Sequence, residues 1–181
     1  LIFNWNHAIN TNKIEDLGLV DEYVLGTYII RKGMPFGSHY TYDYLGADPQ
    51  TGQPRYRTAD GKETFQLAQA GRFADFGTYL PKHVGGFNLD YTLGNFSFAA
   101  FFSYQTDVSR YNNIWNWITR GTPGYANAVN QSSIMLSEQW TKPGDVQFYQ
   151  APRYDRDFTN ADIQDAKFLR FRNLNFGYLI P

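Results

Sequence analysis

The sequence predicts an all-β, antiparallel fold, and three observations carry that prediction. A Gly94–Asn95 pair joins two runs of alternating residues. Aromatic residues make up 18% of the chain, with 14 Tyr and 15 Phe, while mean hydropathy is negative. No run of about 20 apolar residues exists to form a membrane-spanning helix. Such a combination fits an outer-membrane barrel, where half of each strand faces a wet lumen. It fits an aromatic-rich soluble β-sandwich equally well.

The stretch GGFNLDYTLGNFSFAAFFSYQ, from Gly85 to Gln105, gives the firmest element. Gly and Asn tolerate the positive φ of a two-residue hairpin turn. With Gly94 and Asn95 as the loop, Leu93 pairs with Phe96, Tyr91 with Phe98, Leu89 with Ala100 and Phe87 with Phe102. The other parity pairs Thr92 with Ser97, Asp90 with Ala99 and Asn88 with Phe101. One face is therefore apolar and the other mainly small or polar, and a slip of one residue would mix them. The apolar face suits a protein core or hydrocarbon alike.

The other elements follow in chain order. Phe3, Trp5, His7 and Ile9 alternate with Asn4, Asn6, Ala8 and Asn10 as one strand, an opening expected to lie inside a longer chain. Residues 23–30 alternate poorly and predict only a weak strand. Phe36, Ser38, Tyr40, Tyr42 and Tyr44 share a face and predict another. GADPQTGQPRYRTADGKE is turn-rich, and residues 66–76 are irregular. A long insertion from about Asp107 to Asp165 follows the hairpin. Within it NNIWNWITRGTPGYANAV reads as loop, and NQSSIMLSEQW as a short helix ended by Pro143–Gly144. In KFLRFRNLNFGYLIP, Leu169 and Phe171 have one parity, and Leu174, Phe176 and Tyr178 the other. A bulge near Arg172 and Asn173 would place all five on one side.

Composition bounds the function. The chain has 181 residues, enough for one domain with a sizeable core. Lys+Arg 16 against Asp+Glu 17 leaves a net charge of −1, which offers nucleic acid no electrostatic footing. The absence of cysteine excludes a disulfide scaffold and a thiolate metal site. His7, His39 and His83 lie far apart with no ligand spacing, so no metal site is expected. Asp60–Gly61 reads as a plain turn rather than a calcium loop. Asp155, Asp157, Asp162 and Asp165 lie among Arg153, Arg156 and Lys167, and read as solvated loop ion pairs. Ser132–Ser133 have no nearby histidine. Nothing argues for an enzyme or a cofactor.

Five pieces in order, NKIEDLG, RKGMPFGSHYTYDYLGADPQTGQPRY, LPKHVGGFNLDYTLGNFSFAAFFSYQ, EQWTKPGDVQFYQAPR and AKFLRFRNLNFGYLIP, cover nearly the whole chain. With them the chain resembles the C-terminal barrel region of SusC/RagA-like TonB-dependent outer-membrane transporters; WTKPGD and LRFRNLNFGYLIP are the most specific. The resemblance implies a segment of a transmembrane β-barrel of about 22 strands, with residues 1–181 as a partial barrel domain and the plug and final strands absent. About six strands of some 10 residues are expected here. It also implies import of glycan oligomers or peptides across the outer membrane, contact with its lipid, a SusD-like surface lipoprotein as partner, and energy from TonB through a segment not in this chain. TADGKETFQLAQAGRF lacks the Asp/Asn-dense pattern of many relatives and offers no cation site. A complete small barrel and a soluble carbohydrate-binding sandwich are the alternatives.

Trp115, Trp117, Tyr125 and Tyr149 lie in the insertion, where rings can stack on sugar or peptide; more often such rings build a loop's own small core. Trp5 and Tyr104, at strand ends, are expected in an interfacial aromatic girdle.

Overall fold

The computed structural model describes residues 1–122, 124 and 128–181. Its strands in chain order are β1 (Ile2–Ile9), β2 (Glu22–Leu25), β3 (Tyr28–Arg31), β4 (Ser38–His39), β5 (Thr41–Tyr42), β6 (Tyr44–Ala47) and β7 (Pro54–Arg57). They continue with β8 (Glu63–Thr64), β9 (Arg72–Phe73), β10 (His83–Leu93), β11 (Phe96–Thr106), β12 (Ser109–Tyr111), β13 (Ile163–Asp165) and β14 (Phe168–Tyr178). Four of these, β1, β10, β11 and β14, form one antiparallel sheet in that order. The sheet is open. Four long strands therefore stand where about six were expected.

The hairpin register is the one the alternation predicts, from Leu93↔Phe96 to Phe87↔Phe102. Gly94 takes a φ of 58°, the left-handed region that a two-residue turn needs and that glycine adopts without a Cβ clash. The bulge falls where parity required it. Phe101 pairs with Asn173 and Phe102 with Phe171, leaving Arg172 as the extra residue. Arg172 Nε donates to Ser103 Oγ at 2.8 Å, so the bulged side chain stays on the polar face while Leu174 and Phe176 return to the apolar one.

All other described elements belong to connections that leave the sheet at the end opposite the Gly94–Asn95 turn. Two connections supply them, residues 10–82 and 107–167, and they pack into one unit. The first was not expected to join the second. Thr41 Oγ1 donates to the Phe158 carbonyl at 3.1 Å, Tyr44 N to Asn160 Oδ1 at 2.8 Å, and Trp140 Nε1 to the Pro49 carbonyl at 2.9 Å. Trp140, Ala47 and Ala151 form a small core with Tyr154 packed against it.

Several expectations for this unit need correction. Residues 22–31 make a hairpin, not one weak strand, because Gly26 turns the chain at a φ of 62°. The stripe from Phe36 to Tyr44 is not one strand. Its pieces β4, β5 and β6 pair with β3, β9 and β7 respectively, so each short piece serves a different sheet. The turn-rich segment holds strands β7 and β8, paired with each other. The stretch read as loop contains a helix, Asn113–Ile118, whose N-cap Asn112 accepts from Trp115 N at 3.0 Å. The helical turn Met135–Glu138 is shorter than foreseen and ends at Gln139, before Pro143.

At the centre of the unit Arg156 and Asp162 are both fully buried. Arg156 Nη1 and Nη2 each donate to one Asp162 oxygen at 2.9 Å, a planar two-bond match. The network extends to Thr159 Oγ1 at 3.0 Å, Thr119 Oγ1 at 3.1 Å and Asn116 Nδ2 at 3.0 Å. Asp162 was expected in a solvated ion pair, yet its carboxylate is fully buried against Arg156. Asp155 and Asp165 do pair at the surface, with Arg120 and Lys167.

This geometry sets an expected outcome. Asp162→Asn leaves a buried guanidinium without its counter-charge, a loss of about 3–5 kcal/mol. Proteolysis and hydrogen exchange of residues 107–165 should accelerate, with the four-stranded sheet unaffected. An Arg156→Met, Asp162→Leu pair should lose far less, since no unpaired charge is left behind.

Candidate functional site: a two-faced wall and a loop-side cleft

The four long strands place every large apolar side chain of the sheet but a few on one face. Phe3, Trp5 and Ile9 of β1, Phe87, Leu89, Tyr91 and Leu93 of β10, Phe96, Phe98 and Phe102 of β11, and five residues of β14 share it. One row of rings crosses all four strands. Phe3 and Phe87 lie 6.1 Å apart between centroids, Phe87 and Phe102 4.7 Å, and Phe102 and Phe171 5.0 Å. Cross-strand pairs of this kind contribute about 0.2–1 kcal/mol each. Nothing among the described residues covers the face: Trp5 is 62% and Phe176 69% exposed. The opposite face carries Asn4, Asn6, Asn88, Asp90, Thr92, Ser97, Ser103, Asn173 and Asn175. An exposed apolar slab of this extent on a polar-backed sheet marks a surface made for an apolar environment.

A polar rim closes the slab where the loops depart. Trp5 Nε1 donates to the Tyr104 hydroxyl at 3.0 Å, and His7 Nδ1 lies 2.8 Å from that same oxygen. Tyr104 reaches both because Gly85 lies beneath it; a Cβ there would meet the Tyr104 hydroxyl and the Asn6 carbonyl at 2.5 Å. His7 and His83, thought remote, are brought together by the β1–β10 pairing, with ring centroids 5.3 Å apart. His39 is elsewhere, buried in the loop unit against the Ser109 carbonyl, where burial pulls it toward the neutral form.

The loop unit disposes its aromatic residues unequally. Trp115, half-buried, donates from Nε1 to the Tyr149 hydroxyl at 3.1 Å. Tyr149 is itself buried, 3% exposed, and contributes to the unit's interior. Trp117, two residues along the same helix, points to the surface and is 44% exposed. Tyr125 lies outside the described residues. Elsewhere in the loop unit opens a cleft of about 680 Å³ walled by Tyr56, Phe65, Leu67 and Tyr154. On its rim Arg120 grips Asp155 through two bonds of 2.8 and 2.9 Å. Sequence reasoning did not single out Phe65 or Tyr154; one follows the turn-rich segment and the other lies in the long insertion, neither in a periodic run, and they meet only in the fold. A second cavity of about 690 Å³, lined by Thr78, Lys82, Asp107, Ser109 and Lys167 among others, separates the unit from the strand ends. Among the described residues no three metal-ligating side chains converge.

Burial also shapes the acid–base behaviour of the unit. It pushes the phenols of Tyr44, Tyr111 and Tyr149 upward and that of Tyr56 up to about 12. A phenol harder to ionise when folded stabilises the fold fully below the unfolded value of about 10, and that contribution is lost as pH rises through the folded one. Absorbance at the tyrosinate band should therefore show a delayed class of tyrosines. Release of Tyr56 as pH rises toward about 12 should coincide with loosening of the loop unit.

Neither a protein-family model nor a curated protein matches the chain. Solved structures do. The RagAB peptide transporter superposes with a TM-score of 0.86 at 24% identity, over 99% of this chain and 20% of that one. The RagAB peptide importer gives TM-scores of 0.84 in its open-open state and 0.83 in its closed-closed state, each at 23% identity and the same coverage. The chain spans about a fifth of the length of these proteins and shares the fold of that fifth.

Proposed function

We propose that the chain is a stretch of barrel wall, with its loops, from an outer-membrane transporter of the SusC/RagA-like TonB-dependent kind. One observation carries this reading: a four-stranded sheet whose continuous apolar face lies bare while the reverse face is polar. Lipid suits the first face and a wet lumen the second. A soluble sandwich would lay a second sheet on the apolar face, and none is there among the described residues. Residues 1–181 then make part of a barrel of about 22 strands.

On this reading the protein imports glycan oligomers or peptides, molecules too large for simple diffusion through a porin. The loop unit faces the cell exterior and meets the cargo and a SusD-like lipoprotein, while TonB supplies energy through a segment outside these residues. Trp117 and the rings of the cleft are placed to stack on cargo. Trp115 and Tyr149 hold the helix that presents Trp117, and Tyr125 completes the proposed aromatic set. No bond-making chemistry is assigned to the chain, and no cofactor is required.

Adjacent residues test the two faces. In the full-length protein Leu89→Arg puts a charge on the apolar face, where about 2–4 kcal/mol is lost near the bilayer midplane. Asn88→Arg puts the same charge on the polar face. The first should abolish the heat-modifiable gel shift or lower the urea midpoint of unfolding, and the second should leave both nearly unchanged. Equal effects would reject a lipid-facing wall.

Outer-membrane barrels keep short turns on the periplasmic side and long loops outside. A cysteine replacing Gly124 should therefore react with an impermeant thiol reagent on intact cells, and one replacing Asn95 should not. The reverse pattern would sink the assigned orientation.

A further inference from the structure

We propose that His7 and His83 form a binding site for a first-row divalent transition-metal ion, zinc above all, at the rim of the apolar wall. His7 Nε2 and His83 Nδ1 face each other at 3.3 Å. Two nitrogens held about 2.0–2.1 Å from a tetrahedral zinc ion lie roughly 3.3–3.4 Å apart. A direct bond between the rings would favour a shorter approach, about 2.9–3.0 Å. The observed spacing matches the metal's bite.

The remaining nitrogens have partners of the kind that orient metal ligands. Bound imidazoles almost always donate the far ring N–H to an oxygen acceptor, typically a carboxylate, backbone carbonyl or water. Here His83 Nε2 faces Asp107 Oδ2 at 3.4 Å and His7 Nδ1 faces the Tyr104 hydroxyl at 2.8 Å. The Tyr104 oxygen accepts from Trp5 Nε1 and keeps a second lone pair for His7 Nδ1–H. With protons on those outer nitrogens, the two inner lone pairs converge and call for a cation between them. Turning the Tyr104 proton onto His7 Nδ1 lets His7 Nε2–H donate to His83 instead. The site thus changes between metal-bound and metal-free forms by a tautomer shift, with no net proton released.

Asp107 is aimed by its backbone. It is the one non-glycine residue with positive φ among the described residues, at 52°, a conformation that aspartate tolerates better than most but that carries strain. Its carboxylate adds negative charge beside the pair. Two protein ligands leave the other coordination positions to water, and His7, exposed, with His83, 28% exposed, leaves room for it. The ion would fasten β1 to β10 where the chain leaves the sheet.

The test is titration of Zn²⁺ into the full-length protein in detergent at about pH 7.5, above the ordinary imidazole pKa of ~6.5. Wild type should bind one equivalent more than His7→Gln or His83→Gln, each judged folded by its heat-modifiable gel shift. Asp107→Asn should keep that equivalent with affinity weakened about 10–100-fold. Zn²⁺ should raise the melting temperature of wild type, reversibly with chelator, and not that of either histidine variant. Equal stoichiometry in wild type and both histidine variants would overturn the site and leave a hydrogen-bonded imidazole couple.

Discussion

The register of the β10–β11 hairpin is the constraint from which the rest of the sheet follows. Side chains alternate strictly along a strand, so a one-residue slip would exchange the faces of the whole strand. Gly94 at the turn permits the two-residue loop, and that loop commits Leu93 to Phe96. From there each neighbour is bound to the same parity. β1 brings Trp5 opposite Phe87, and β14 brings Phe171 opposite Phe102. The bulge at Arg172 shows how strong that constraint is. The chain gives up one ladder position to return Leu174, Phe176 and Tyr178 to the apolar face.

The loop unit depends on a different device. Its buried apolar residues, among them Ile29, Ile30, Trp140 and Tyr149, are spread along two long connections. The second connection is held by a set of buried hydrogen bonds centred on Arg156 and Asp162, with Thr119, Asn116 and Thr159 around them. Bonds from Thr41, Tyr44 and Trp140 join the first connection to it. A buried ion pair adds little net stability over an apolar pair of the same shape, but it tolerates no partial version of itself. It therefore specifies one arrangement. The helix Asn113–Ile118, the turn at Thr159 and strand β6 are all tied to that point, and Trp117 and the cleft inherit their positions from it.

What could be read from the sequence divides along the same line. The hairpin, its register, the first strand and the bulge were legible because period-two alternation over eight or more residues is a physical signal. The segment from Phe36 to Tyr44 has the same alternation, yet it is cut into pieces of two to four residues, each paired elsewhere. Local pattern says nothing about which partner claims a residue. The helix Asn113–Ile118 was missed because tryptophan, asparagine and isoleucine are indifferent helix formers, and its stability comes from the Asn112 cap and from packing. Asp162 looked like a surface acid because its partner Arg156 is recognised only once both are enclosed. His7 and His83, separated by a long connection, became neighbours through strand pairing alone. The rings of the cleft were hidden for the same reason.

The outer edges of β1 and β14 bear on how the wall can exist at all. Both are unpaired in the sheet order β1-β10-β11-β14. In water such edges are merely sticky. In hydrocarbon each unpaired backbone group costs several kcal/mol, and an edge of eight to eleven residues presents several of them. The ring pairs of the apolar face, at about 0.2–1 kcal/mol each, cannot offset that sum. A lipid-facing reading of the slab therefore requires further strands on both sides, until closure leaves no edge. On the proposed reading the apolar face and the open edges belong together, because a sheet in lipid leaves no unpaired backbone only when it closes.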